Sequence, residues 1–279
     1  MNPFFFGSRN RQLFGVYYPA NCHPSCSHGV VLCPPVGQEY MRTYMAVRQL
    51  AIKLSSVGFD VLKFDYYGVG DSAGASEEGH PDVWKDDIRM AFQELKDVSG
   101  VAPVSMVGLR LGATLAVEVV DAGLPVENLV LWDPVINGAG YIHQVRELTL
   151  NVLQNKIESC DEDVENLVGF PFSASSISGI SEIDLLRLVP GGKRNIFLVF
   201  SEEREEYVRF TSHLEVGGKS VAVRNLHALQ SSENPEMHNT HVREAGKMIA
   251  QWSDQGEFDQ ALMAHYAISE IAILLKSAV

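Results

Sequence analysis

The segment VSMVGLRLGATLAVEVV, residues 104–120, contains the most distinctive candidate for chemistry in this sequence. Its first residues predict a buried strand, a Gly-x-x-x-Gly turn runs from Gly108 to Gly112, and an apolar helix follows. This order is typical of a nucleophile elbow, in which a strained turn presents a reactive side chain between two small residues. The tip of the turn is Arg110, whose guanidinium stays protonated and has no usable lone pair. Arg110 therefore cannot act as a nucleophile.

Arg110 is suited instead to holding an anion. It precedes a predicted helix, whose free N–H groups and dipole favour negative charge. Its planar guanidinium fits a carboxylate, a phosphate or an enolate-like oxyanion. Because an unpaired buried arginine is costly, an anionic partner is nearly obligatory. That partner is either a ligand or a protein carboxylate, Asp133 or Glu39, and we expect a protein carboxylate in the resting state.

Strands and helices alternate along most of the chain, which predicts a mainly parallel sheet covered on both faces. Predicted strands lie at 4–6, 13–18, 29–33, 59–66, 104–109, 129–132, 195–200 and 220–226. Predicted helices lie at 40–57, 84–95, 111–121, 203–214 and 242–252. Residues 138–190 break this rhythm and are interpreted as an inserted helical cap. The segment 254–279 predicts a helix that is apolar around most of its circumference, so it either packs on the domain or forms a homodimer interface.

Composition limits the classes of partner. The net charge is −13 without a lysine or arginine cluster, which disfavours nucleic acid. The N-terminus lacks the pattern of a signal peptide, and no uncharged apolar run approaches the length of a membrane span. We therefore expect a soluble cytoplasmic protein with reduced cysteines. The cluster CHPSCSH at 22–28 could bind zinc, but an ordinary surface loop is favoured, and we expect neither metal nor cofactor.

Several separated motifs resemble the α/β-hydrolase fold, and within it the serine-aminopeptidase-like branch that includes exosortase-associated hydrolases. The resemblance covers about residues 4–252, and it implies a single domain over 1–279 with the cap at 138–190. The motifs are FFFG with LFGVYYP, VVLCPPVGQEYMR, FDYYGVGDSAG, VGLRLGATLA and LVLWDPVINGAGYI. In such hydrolases the third motif, from Asp65 to Ser72 here, is mainly structural.

The resemblance also implies a catalytic constellation, which this sequence meets only in part. The nucleophile position is Arg110, and the usual acid position after the strand at 195–200 falls on Arg204. We favour Asp133 as the buried acid, because it follows the preceding strand at the edge where α/β sites assemble. The histidine is expected after the last strand, where His227, His238 and His241 are candidates.

An oxyanion hole is implied by the same resemblance. It would use the backbone N–H groups of Val36 and Leu111, which do not depend on the side chains. Gln38, Glu39 and Arg42 follow Val36 and could line the mouth of this site.

Three functions remain open from sequence. The first is an atypical enzyme acting on an acyl, carbonyl or anionic small molecule in a biosynthetic pathway, with His227 or His238 as base. The second is an inactive pseudo-hydrolase that serves as a binding or scaffold protein. The third is an esterase or thioesterase with a displaced nucleophile, for which Ser72 and Cys33 are the nearest candidates.

Overall fold

A computed structural model describes residues 1–22, 25–153, 163–192, 194–232 and 255–279 of the chain. The strands of this described part are β1 (Asn2–Ser8), β2 (Arg11–Tyr18), β3 (Gly29–Cys33), β4 (Asp60–Phe64), β5 (Val104–Leu109), β6 (Asn128–Trp132), β7 (Val164–Leu167), β8 (Phe170–Ser173), β9 (Asn195–Phe200) and β10 (Val221–Asn225). Its α-helices are α1 (Gly37–Ser56), α2 (Pro81–Ser99), α3 (Leu111–Asp121), α4 (Gly138–Leu153), α5 (Ala174–Ser181), α6 (Glu205–Val216), α7 (Leu226–Ser232) and α8 (Gln255–Ala278). The helix predicted at 242–252 lies outside the described residues.

The large sheet has the strand order β1-β2-β4-β3-β5-β6-β9-β10. The hairpin of β1 and β2 joins β4 in antiparallel pairing, and all the pairs from β4 to β10 are parallel. Every residue of β3, β5 and β6 is buried, which explains why these strands are mostly apolar, with Ser105 and Asn128 as their buried polar residues. The predicted parallel sheet is therefore confirmed.

Helices cover both faces of this sheet. Alternate residues of β5 point to opposite sides, so that Met106 packs with α2 and α3 while Val107 packs with α1 and α8. Each large apolar side chain buried in these layers contributes about 1.5–3 kcal/mol. The two layers fix β5, and with β5 the start of α3, in the centre of the molecule.

The region predicted as a helical cap contains more than helices. Helices α4 and α5 lie in it, but β7 and β8 form an antiparallel hairpin between them. The segment 169–179, which reads as a loop in the sequence, contributes strand β8 and most of α5. Short strands of four residues give too little periodicity to be recognised. Whether this region acts as a cap stays an interpretation.

Helix α8 uses much of its apolar surface inside the domain. Tyr266, Ile271 and Leu275 are at most 2% exposed and pack in the same layer as α1. Ile273 points outward and is 58% exposed. None of the helices in the described ranges combines the length and the apolar content that crossing a bilayer requires.

Candidate functional site

The turn at 108–112, called the elbow turn below, places Arg110 between β5 and α3. Arg110 has φ of 54° and ψ of −125°, a conformation that residues other than glycine rarely adopt. Its backbone is held on both sides, because its N–H donates to the Trp132 carbonyl at 3.0 Å and its carbonyl accepts from the Ala113 N–H at 3.0 Å. These contacts hold the strained residue in place.

Both glycines of the elbow turn are required by close approach of the backbone. A Cβ at Gly108 would lie 2.3 Å from the Cα of Ala113, and a Cβ at Gly112 would lie 2.2 Å from the carbonyl oxygen of Pro34. The start of α3 therefore packs directly against the loop between β3 and α1. Val36 and Leu111, whose N–H groups were predicted to form an oxyanion hole, lie on these two adjoining segments.

The guanidinium of Arg110 is held by two groups of the protein. Its Nε donates to Oε1 of Glu39 at 2.9 Å, and its Nη1 donates to the backbone carbonyl of Asp133 at 3.0 Å. The side chains of Arg110 and Glu39 are 19% and 28% exposed. Of the two carboxylates considered from sequence, Glu39 is the one that forms the ion pair.

The Glu39 carboxylate stabilises the charged form of Arg110. Burial disfavours the charged guanidinium, but the adjoining Glu39 carboxylate outweighs it and raises the pKa of Arg110 above its ordinary value. The second oxygen of Glu39 accepts a hydrogen bond from the Tyr141 hydroxyl at 3.2 Å, and the Tyr141 ring lies 5.8 Å from the Arg110 guanidinium carbon. The neighbouring Gln38 is half-buried. Sequence reasoning missed Tyr141, although it lies in the segment LVLWDPVINGAGYI.

Asp133 has a different partner from the one expected. Its carboxylate accepts hydrogen bonds from the N–H of Ser201 at 2.8 Å and from the Ser201 hydroxyl at 2.7 Å. Burial raises the pKa of Asp133, and the hydrogen bonds from Ser201 and the charge of Arg110 oppose that rise only in part. The carboxylate therefore ties the ends of β6 and β9 together. Ser201 was not predicted, and its position one residue after β9 is the signal that could have found it.

The candidate histidines are only partly located. His227 is exposed in the first turn of α7, directly after β10. It is not among the described residues that line the cleft beside Arg110. His238 and His241 lie outside the described residues.

A cleft of about 40 Å³ opens beside the guanidinium of Arg110. It carries two cationic side chains, Arg110 and Arg204, and one anionic side chain, Glu206, which lies 3.6 Å from Arg204. The remaining lining residues are Val135, Ile136, Asn137, Gly140, Tyr141 and Gln144. Within the described ranges, no three His, Cys, Asp or Glu side chains converge as a metal site would require.

The hairpin of β7 and β8 reaches the start of α1, close to this site. Gly37 has φ of +60°, and a Cβ there would lie 3.1 Å from the ring of Phe172 in β8. Glycine is needed at this position for both reasons. The hairpin thus packs against the start of α1, two residues before Glu39.

Comparison with known proteins places this architecture in a family. The sequence model of serine aminopeptidase, S33, matches residues 27–172, more than half of the 279-residue chain. The chain belongs to the serine aminopeptidase S33 family. Among curated relatives of this S33-family chain is lysophosphatidylserine lipase ABHD12 of Danio rerio, 37% identical over 94 residues, which are 32% of this chain and 24% of that protein. The chain thus matches only about a quarter of the length of that relative.

Solved structures share the fold of this S33-family chain. Est1E from Butyrivibrio proteoclasticus with ferulic acid bound has a TM-score of 0.60 at 15% identity, over 80% of this chain and 88% of that one. Alpha/beta hydrolase domain-containing protein 10 from mouse has a TM-score of 0.57 at 17% identity, over 100% of both chains. These likenesses confirm the predicted α/β-hydrolase fold.

Proposed function

We propose that this chain is a non-hydrolytic member of its family that binds a small anionic ligand at the elbow turn. The observation that carries the proposal is the position of Arg110 at the tip of that turn, paired with Glu39 at 2.9 Å. Serine members of the fold place their nucleophile at this tip. A protonated guanidinium there closes the route through an acyl-enzyme.

The surrounding residues argue for binding over turnover. In a Ser-His-Asp triad the buried acid orients a histidine, whereas Asp133 gives both carboxylate oxygens to Ser201. The exposed His227 lies outside the lining of the cleft. In the part of the chain that the structure describes, these groups therefore do not form a triad.

The chemistry of the cleft favours a compact carboxylate or phosphate. Arg110 and Arg204 face the same cleft, and two guanidiniums with planar forks bind such anions more strongly than neutral donors do. Glu39 pairs with Arg110, and Glu202 and Glu206 pair with Arg204 at 3.3 and 3.6 Å. A ligand anion would take the place of the Glu39 carboxylate beside Arg110. The lipid named for the zebrafish relative, lysophosphatidylserine, is anionic and belongs in a panel of test ligands.

Binding of inorganic phosphate, acetate and lysophosphatidylserine, measured by isothermal titration calorimetry, tests the proposal. Arg110→Met should weaken binding of the preferred anion by about tenfold or more, since it removes a charge-assisted hydrogen bond. Arg146→Met is the matched control, because Arg146 pairs with Glu165 on the surface. Equal binding by Arg110→Met and the unchanged protein would refute the assignment of this site.

One observation favours an atypical enzyme as the second candidate. The elbow turn keeps its strained backbone and packs against the loop that leads to Val36. In this candidate the N–H groups of Val36 and Leu111 would hold developing negative charge. His227 or His238 would then serve as base. Turnover of an acyl or carbonyl substrate that falls about 100-fold in Arg110→Ala would support this candidate over pure binding.

The surroundings of Cys33 and Ser72 disfavour the third function, an esterase or thioesterase with a displaced nucleophile. Burial raises the pKa of the Cys33 thiol to about 12, which leaves it protonated and unreactive. The Ser72 hydroxyl donates to the Asp65 carbonyl at 2.6 Å and accepts from the Phe14 N–H at 2.9 Å, so it holds the loop at 65–72. Strong labelling by a fluorophosphonate probe would reinstate a nucleophile and contradict both other candidates.

A homodimer through α8 would have little apolar surface of that helix available, because Tyr266, Ile271 and Leu275 are buried in their own domain. The outward Ile273 is the residue that such an interface would cover. Light scattering of the unchanged chain and of Ile273→Glu decides between a dimer that the substitution dissociates and a monomer in both.

A further inference from the structure

Two cysteines flank a single glycine on the far side of α1. Gly58 follows the end of that helix with φ of +104°. A Cβ at Gly58 would lie 3.1 Å from the sulfur of Cys26 and 3.5 Å from the Cβ of Cys22. Both cysteines are partly exposed, and the N–H of Cys26 donates to the Gly58 carbonyl at 2.8 Å. The two thiol side chains therefore share the space that this glycine leaves open.

A lysine from the opposite end of the chain completes the cluster. Lys276, in the last turn of α8, places its Nζ 3.0 Å from the sulfur of Cys26 and 3.1 Å from the Val57 carbonyl oxygen. The hydrogen bond to Cys26 raises the pKa of Lys276, so this amine stays charged. The ammonium of Lys276 therefore lies against the sulfur that an oxidant would reach, and thiols react with oxidants through their thiolate form.

We propose that Cys22 and Cys26 form a peroxide-sensitive dithiol, and that its oxidation to a disulfide frees Lys276 and the last turn of α8. The Cys26 thiolate attacks hydrogen peroxide; an S–O bond forms, the O–O bond breaks, and the leaving hydroxide takes a proton to become water. The Cys22 thiolate then attacks the sulfur of the Cys26 sulfenic acid; the S–S bond forms, the S–O bond breaks, and the leaving hydroxide takes a proton from solvent to become a second water. Two thiols are oxidised and one peroxide is reduced.

Other uses of these residues fit the contacts less well. Among the described residues, the third candidate zinc ligand of the cluster, His28, is 1% exposed, with its Nε2 held 2.7 Å from the Ser105 hydroxyl in the core. His23, the fourth, lies outside the described residues. The ammonium of Lys276 beside Cys26 would also repel a cation. Cys33 is buried, so it does not compete for peroxide.

The test uses the reduced full chain with Cys160→Ser, because Cys160 lies outside the described residues. After treatment with hydrogen peroxide, mass spectrometry of the intact chain should show a loss of about 2 Da. Alkylation should show that the thiols of Cys22 and Cys26 no longer react. In Cys22→Ser the reaction should stop at a Cys26 sulfenic acid, which dimedone traps. Hydrogen exchange at the last turn of α8 should rise on oxidation.

The role of Lys276 has its own control. Lys276→Met should slow the oxidation by about threefold or more, because it removes the charge beside the sulfur, and Lys276→Arg should restore most of the rate. Lys219→Met is the matched control, since Lys219 also donates to a backbone carbonyl, that of Gly192 at 2.9 Å. The proposal is overturned if both thiols survive peroxide, if zinc binds tightly and protects them, or if Lys276→Met reacts at the original rate.

Discussion

Replacing Glu39 by glutamine removes the carboxylate that faces Arg110 while keeping the size of the side chain. Arg110 then keeps its charge at a position where 19% of its side chain is exposed, with the Asp133 carbonyl 3.0 Å from Nη1. Stranding one charge of a fully buried pair costs about 3–5 kcal/mol. The partial exposure of both partners lowers this, so we expect Glu39→Gln to reduce the free energy of unfolding by about 2 kcal/mol.

Urea denaturation of four proteins measures the pair itself. The unchanged chain, Glu39→Gln, Arg110→Met and the double variant form a cycle, whose coupling energy should be about 1–2 kcal/mol. Glu165→Gln is the surface control: Glu165 pairs with Arg146, whose side chain is 50% exposed, and its loss should cost less than about 1 kcal/mol. Equal losses in Glu39→Gln and Glu165→Gln would refute the view that the Arg110 pair is special.

The same variant tests whether Glu39 holds the place of a ligand. A bound anion stabilises the folded state by an amount that grows with its concentration over its dissociation constant. In Glu39→Gln the guanidinium has lost its internal anion, so phosphate should stabilise this variant more than the unchanged chain. If phosphate stabilises neither protein, or both to the same extent, Glu39 does not act as a placeholder.

Three further outcomes follow from the geometry. Gly112→Ala should lower the free energy of unfolding by about 3 kcal/mol, because its Cβ would lie 2.2 Å from a loop carbonyl oxygen. The control Gly191→Ala places its Cβ in open space and should leave the melting temperature nearly unchanged in the same thermal melt. Burial lowers the pKa of His28 below its ordinary 6.5, so the unfolded chain binds more protons than the folded chain just below this pH. The free energy of unfolding should therefore fall as the pH drops below 6.5. In His28→Gln, urea unfolding at several pH values should show a weaker dependence of that free energy on pH. Ser201→Ala removes the hydroxyl hydrogen bond to the Asp133 carboxylate and keeps the one from the backbone N–H, and it should cost about 1–3 kcal/mol, measured by urea unfolding.

The sequence was informative where local pattern and burial agree. Strands β3, β5 and β6 are buried on both faces, and their mainly apolar sequences predicted them closely. Helix α1 was predicted at 40–57 and lies at Gly37–Ser56. The elbow turn was visible because the close approach of two backbone segments requires glycine at Gly108 and Gly112.

The site was harder to predict because its contacts are long-range. Glu39 and Asp133 were both plausible partners of Arg110, and only the packing of α1 against the elbow turn selects Glu39. The partner of Asp133 is Ser201, 68 residues away, and the two meet because β6 and β9 are neighbours in the sheet. Strand order of this kind is not encoded in local periodicity.

The pairing of Arg110 with Glu39 also has a consequence for how the sequence can evolve. The shape of the elbow turn comes from its two glycines, so a change at the tip costs stability mainly through the charge left behind on the other partner. Substitutions at these two positions, 71 residues apart, should therefore occur together during evolution. A lineage that exchanges the arginine for a neutral residue should lose the acid at position 39 within the same branch of its history.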